Sequence, residues 1–128
     1  MKRILVTGAN KGIGLATVEN LLQNHPDTFL ILGSRDEKRG DEALGLLTSK
    51  EPKWSDRLMM LAIDVSSDES VTMAAETVVS SFETDAKPLY GIINNAGIGS
   101  SSIGLEPTLQ VNTWGIHRVC KAFIPVLE

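Results

Sequence analysis

The sequence holds one cysteine, Cys120, in 128 residues. An intrachain disulfide is therefore excluded, in keeping with a reducing compartment, and no His or Asp stands at motif spacing to make that thiol a nucleophile. Aromatic residues are scarce, at 5%, with a single tyrosine, Tyr90. No apolar run reaches the roughly 18 residues a membrane span needs. After Lys2-Arg3 only Ile4-Leu5-Val6 precede Thr7-Gly8, too short for the core of a secretory signal. Basic residues never run beyond a pair such as Lys2-Arg3, and the net charge is −4, so the electrostatic footprint of a nucleic-acid binder is missing. No set of metal ligands is expected either. These absences leave a cytosolic protein that works on a small molecule.

What is present is a globular composition, 42% hydrophobic and 22% charged, at a length expected to form one domain over residues 1–128. Apolar runs at 3–7, 29–34, 58–65 and 89–95 alternate with helical patterns at 12–24, 36–49, 67–83 and from about 106. The runs are apolar throughout rather than alternating, which implies strands buried on both faces of a parallel sheet. With right-handed crossovers this predicts an α/β fold, a Rossmann-type doubly wound parallel sheet. The punctuation agrees. Asp36 suits the N-cap of the second helix, and Ser66 or Ser67 with Asp68 and Glu69 suits the start of the third. Pro26-Asp27 stops the first helix, 51–56 reads as a surface connection, and Lys87-Pro88 precedes the fourth strand.

The first strand runs into "TGANKGIG", Thr7 to Gly14, with three glycines spaced G-x-x-x-G-x-G. Between a buried strand and a helix, such a loop turns backbone N–H groups and the helix dipole toward an anion, with no Cβ to hold a diphosphate away. Gly8 would allow the sharp turn, Gly12 the close approach and Gly14 the packing of helix on strand. A plain tight turn is the competing reading of the loop taken alone.

"TGANKGIG", followed by "NNAG" at 94–97 and "VNTWG" at 111–115, resembles the short-chain dehydrogenase/reductase family over the whole chain. "TGANKGIGLAT" and "SRDEKRG" at 34–40 are most similar to its monomeric carbonyl reductases. The resemblance implies that Gly8, Asn10, Lys11, Gly12, Ile13 and Gly14 hold a nicotinamide dinucleotide. It also implies that Asp64-Val65 receives the adenine amino group and that Val111 faces the nicotinamide. Asn94 would bond the neighbouring strand ends, and Ala96-Gly97 would let the cofactor ribose pass. Asn112 would be the catalytic asparagine that bends its helix and holds a water in a proton relay. Trp114 and His117 match nothing in the family and are read as packing or surface residues. Pro125 resembles a kink in a helix that runs on to the end.

An NAD binder carries Asp or Glu at the end of the second strand, where it accepts both ribose hydroxyls. Here Ser34-Arg35 stands in that place. A 2′-phosphate is repelled by a carboxylate and attracted by Arg35, with Lys11 approaching from the other side, so NADP is the expected cofactor. A solvated Arg and a loop Lys are the bland alternatives. Asp36 lies one place late for the NAD acid. Arg39 is either a further phosphate partner or an exposed helical residue.

The family's chemistry passes a hydride between nicotinamide and a carbonyl carbon, while a tyrosine, its pKa lowered by a lysine four residues on, handles the proton and a serine orients the carbonyl. Tyr90 is followed at that distance by Asn94, so the sequence holds no Y-x-x-x-K. The chain therefore reads as a domain truncated after the fourth strand and its helix, leaving that strand as an open edge. The expected function is the cofactor-binding half of an NADP(H)-dependent reductase acting on a carbonyl or alcohol substrate. The alternative is a non-catalytic NADP-binding module that works through a partner. Substrate and oligomeric state are unassigned.

Overall fold

A computed structural model describes residues 1–99 and 103–128. The four apolar runs form strands β1 (Lys2–Val6), β2 (Thr28–Ser34), β3 (Leu58–Ala62) and β4 (Gly91–Ile93). They lie in one parallel sheet of order β3-β2-β1-β4. The helices are α1 (Gly12–Asn24), α2 (Glu37–Lys50), α3 (Asp68–Ser81), α4 (Leu105–Asn112) and α5 (Trp114–Phe123).

Both faces of the sheet are covered, as unbroken apolar strands require. Val6, Leu30, Leu32 and Leu58 point to one side with Val18 and Leu22 of α1 and Ala43 and Leu47 of α2. Leu5, Ile31 and Leu61 point to the other side with Val71, Ala74 and Val78 of α3 and Val119 and Phe123 of α5. Leu5, Leu30, Ile31 and Leu32 are wholly inaccessible to solvent, and burying each contributes about 1.5–3 kcal/mol. The helix ends follow local chemistry. Asp36 accepts from the Arg39 N–H at 3.0 Å and Ser67 from the Ser70 N–H at 3.2 Å, capping α2 and α3. At the far end of α1, the Arg57 guanidinium donates to the carbonyls of Leu22 at 2.6 Å and of His25 and Thr28 at 3.0 Å.

The connection at 51–56 is a surface segment, as expected, and most of it winds into a 3₁₀ turn, Pro52–Arg57. The structure departs from the sequence pattern in three places. β3 and β4 are shorter than the apolar runs 58–65 and 89–95 that announce them. The segment from 106 is not one helix: it breaks at Thr113 between α4 and α5, and Pro125 lies in a closing 3₁₀ turn, Ile124–Val126, rather than at a kink. At the break the Gln110 carbonyl is satisfied by a side chain, accepting from Arg118 Nη1 at 2.9 Å. Finally, the outer side of the fourth strand is not wholly open. Just before β4, Leu89 forms a parallel bridge with Leu127, its N–H donating to the Val126 carbonyl at 3.1 Å and its carbonyl accepting from the Glu128 N–H at 2.8 Å.

Candidate functional site

The strand order dictates where a ligand can sit. From β1 the chain winds outward to β2 and β3, then returns across the sheet to place β4 on the other side of β1. The connections leaving β1 and β4 therefore diverge above the carboxyl ends of two adjacent strands, opening a crevice at the switch point. The glycine loop leaves β1 there, and "NNAG" leaves β4.

The two loops are laced together. Thr7 Oγ1 accepts from the N–H groups of Asn95 and Ala96, each at 3.1 Å. In return the Asn95 amide donates to the carbonyls of Thr7 at 3.1 Å and Gly8 at 3.0 Å. Gly8 lies at φ +61°, and a Cβ there would stand 2.8 Å from Ala96 Cα, so only glycine lets the loops approach. A Cβ on Gly14 would meet the Asn95 amide and the Gly8 carbonyl oxygen. Gly12, at φ +57°, has open space beside it.

A cavity of about 280 Å³ lies in the crevice. Ten of the residues singled out from the sequence line it: Gly8, Asn10, Lys11 and Gly12 from the first loop, Arg35 after β2, Asp64 and Val65 after β3, Ala96 and Gly97 after β4, and Val111 on α4. Ile63, Asn95 and Ile98 complete the wall. Gly14 lies beneath the loop, packed as described, and Ile13 projects from the first turn of α1, 81% exposed.

Asn94 is a correction. It is exposed, and its amide faces Cys120 Sγ at 3.9 Å, while the bonds to the neighbouring strand end come from Asn95. Successive side chains on an extended segment point to opposite sides, so only one of the pair can reach β1. That parity, together with Thr7 one step beyond β1, is the signal that could have picked out Asn95.

The electrostatics distinguish the first loop from the others. Lys11 occupies the N-cap of α1 with no side-chain cap bond, and the first turn of α1 carries no acidic residue. Its free N–H donors open on the cavity wall, where an anion can satisfy them. Asp64 is tied at one oxygen: its Oδ1 accepts from the Ser66 N–H at 3.0 Å and the Ser66 hydroxyl at 2.6 Å. Asn112 uses both ends of its amide on one residue, Oδ1 accepting from the Ile98 N–H and Nδ2 donating to the Ile98 carbonyl, each at 2.9 Å. It thereby fastens the segment after β4 to the end of α4.

A wider groove, about 910 Å³, runs between α3 and α5. Its floor is apolar, with Val71, Ala75 and Val126, and it lacks the glycine turn and the free helix donors that give the smaller cavity its chemistry. Among the described residues no cluster of His, Cys, Asp or Glu could hold a metal, and no helix is long and apolar enough to cross a membrane.

A doubly wound parallel sheet with a glycine-rich turn and an uncapped helix at its switch point defines a Rossmann-type domain. Comparison with known proteins narrows the class. The family model for short chain dehydrogenases matches residues 2–128, and the chain belongs to that family of oxidoreductases, which bind nicotinamide cofactors. It is 34% identical over 135 residues to the mitochondrial D-beta-hydroxybutyrate dehydrogenase of Bos taurus, covering 99% of this chain and 38% of that one. It is 29% identical over 133 residues to carbonyl reductase [NADPH] 1 of Rattus norvegicus, covering 97% and 44%. Among solved structures, the NADPH-bound carbonyl reductase from chicken fatty liver superposes with a TM-score of 0.80 at 32% identity, over 98% of this chain and 51% of that chain. The chain thus spans about half or less of the length of these relatives.

Proposed function

We propose that the chain is the cofactor-binding half of an NADP(H)-dependent reductase that converts a small carbonyl compound to an alcohol in the cytosol. One observation carries the reading: Arg35, at the end of β2, lines the same cavity as Lys11, where an NAD binder would present a carboxylate. Asp36, the next residue in the chain, does not line the cavity and instead caps α2 at the Arg39 N–H. The 2′-phosphate would lie between Arg35 and Lys11, with Arg39 in a neighbouring recess that it shares with Asn10, Lys11 and Glu42. The NADPH bound to the chicken carbonyl reductase supports this choice.

The rest of the cradle fits a dinucleotide. The Gly8–Gly12 turn and the N–H groups of α1 would take the diphosphate, Asp64 would receive the adenine amino group on its Oδ2, and Ala96-Gly97 leave room for a ribose. When bound, the nicotinamide supplies hydride transfer. Val111 would form its apolar wall, and Asn112, by fastening Ile98, keeps that wall in place beside the segment after β4.

The test is a fluorescence titration with NADPH and NADH. Charge-assisted hydrogen bonds contribute about 1.5–3 kcal/mol each, less when solvent screens them as at exposed Arg35, so Arg35→Asp should weaken NADPH about tenfold. NADH affinity should hold or improve. Equal losses for both dinucleotides would reject the assignment of the 2′-phosphate to Arg35.

A further inference from the structure

We propose that Arg118 is a positioning residue that sets the span of the dinucleotide cleft, by joining the wall on the adenine side to the wall on the nicotinamide side. The inference rests on the cofactor reading above and extends it to a residue outside the cavity lining.

Arg118 projects from α5, and its side chain is only 17% exposed. Nη1 donates to the Val65 carbonyl at 3.3 Å and to the Gln110 carbonyl at 2.9 Å, and Nη2 donates to the Gln110 side-chain oxygen. Nε reaches Asp68 Oδ1 at 2.9 Å. Val65 belongs to the adenine side of the cavity, next to Asp64. Gln110 directly precedes Val111 and Asn112, the residues placed on the nicotinamide side. One planar guanidinium therefore touches the backbone of both walls, which come from chain segments 45 residues apart.

The neighbourhood makes this junction tight. Gly115, one turn before Arg118 on α5, lies against Val65 so closely that a Cβ would stand 2.9 Å from Val65 Cγ2. The start of α5 is thus pressed on the segment that follows β3, and Arg118 fixes how α4 leaves that contact. The fork geometry is essential, because a lysine can carry the charge but cannot present donors in one plane to two carbonyls. The ion pair is secondary: the Asp68 side chain is 88% exposed, and exposed pairs contribute little.

A role in stability alone would weaken every ligand alike, whereas a role in span falls only on a ligand that touches both walls. The experiment therefore titrates Arg118→Lys with NADPH and with adenosine 2′,5′-bisphosphate, which carries only the adenine half. The expected result is about tenfold weaker NADPH, equivalent to roughly 1.4 kcal/mol, with bisphosphate affinity changed less than about twofold. Gln110→Ala, which removes one of the three contacts to the walls, should split the two ligands in the same direction and by less. Asp68→Asn should leave both affinities unchanged. Equal loss of both ligands, or unchanged NADPH binding in the folded Lys variant, would overturn the proposal. Wild-type protein that binds neither ligand would overturn the cofactor reading itself, an outcome distinct from the other two.

Discussion

Removing the Asn95 side chain should detach the glycine loop from the end of β4, and Asn94 supplies the control. The Asn95 amide makes two bonds, to the Thr7 and Gly8 carbonyls at 3.1 and 3.0 Å, and it packs under Gly14. Each bond contributes about 1 kcal/mol net, and an acceptor left unpaired in a half-buried site costs a further increment, so Asn95→Ala should destabilise by about 2–4 kcal/mol. A domain of this class has about 5–15 kcal/mol in total, and the melting temperature should fall by roughly 10 °C. Asn94→Ala removes only an exposed amide with one 3.9 Å contact to sulfur, and its effect should stay within about 0.5 kcal/mol. Thermal melts followed by circular dichroism, with NADPH titration of each variant below its transition, measure both effects. Equal melting temperatures for the two variants, or the larger loss at Asn94, would refute the account of how the crevice is held.

Lys11→Asp should raise the melting temperature while weakening NADPH, since Asp is a good N-cap worth about 1 kcal/mol and suits the helix dipole, but places a carboxylate beside the proposed diphosphate site; a melt and a titration on the same sample check it, and tighter binding would contradict the anion reading of the loop. Away from the site, the Lys87 N–H at 3.0 Å, and then Arg3 Nη1 at 2.9 Å, hold the Asp85 carboxyl below the usual carboxylate range. A depressed folded-state pKa gives stability that is complete above the unfolded value of about 4 and is lost as pH falls through the folded value, so Asp85→Asn should flatten the acid side of a plot of melting temperature against pH below about pH 4. An unchanged slope would show that Asp85 keeps the same environment in the unfolded chain.

The sequence was most legible where one physical cause produces one pattern. Leu30-Ile31-Leu32 read as a strand covered on both sides, and the structure places Ile31 against α3 and α5 and its neighbours against α1 and α2. Hydrophobicity reports burial, however, and not pairing. Ile63 and Val65 are 3% and 7% exposed, yet β3 ends at Ala62, so the apolar run overstated the strand. The crevice was legible because its turn chemistry is local to each loop. What escaped were particular side-chain contacts, such as the bond from Arg118 to the Gln110 carbonyl beside the break at Thr113. The choice between Asn94 and Asn95 turns on which side of one strand faces Thr7. Neither periodicity nor composition encodes such contacts.

The three helices that follow β1, β2 and β3 show how the fold divides stability from binding. α2 and α3 begin with Asp36 and Ser67, whose side chains satisfy the first free N–H groups, and both carry acidic residues in the first turn where the dipole favours them. α1 begins with Lys11, whose side chain accepts no capping hydrogen bond and puts a positive charge at the positive end of the helix. By helix energetics alone this is the worst start of the three. It is also the only one of the three aimed at the switch point, where Gly8 and Gly12 strip away the side chains that would keep an anion from the free donors. On the proposed cofactor reading the deficit at α1 is the counterpart of the ligand: an arriving phosphate would supply the cap that the sequence withholds. A loop selected for stability would carry Ser or Asp at position 11, and the lysine there is the local inconsistency expected where a site overrides a helix.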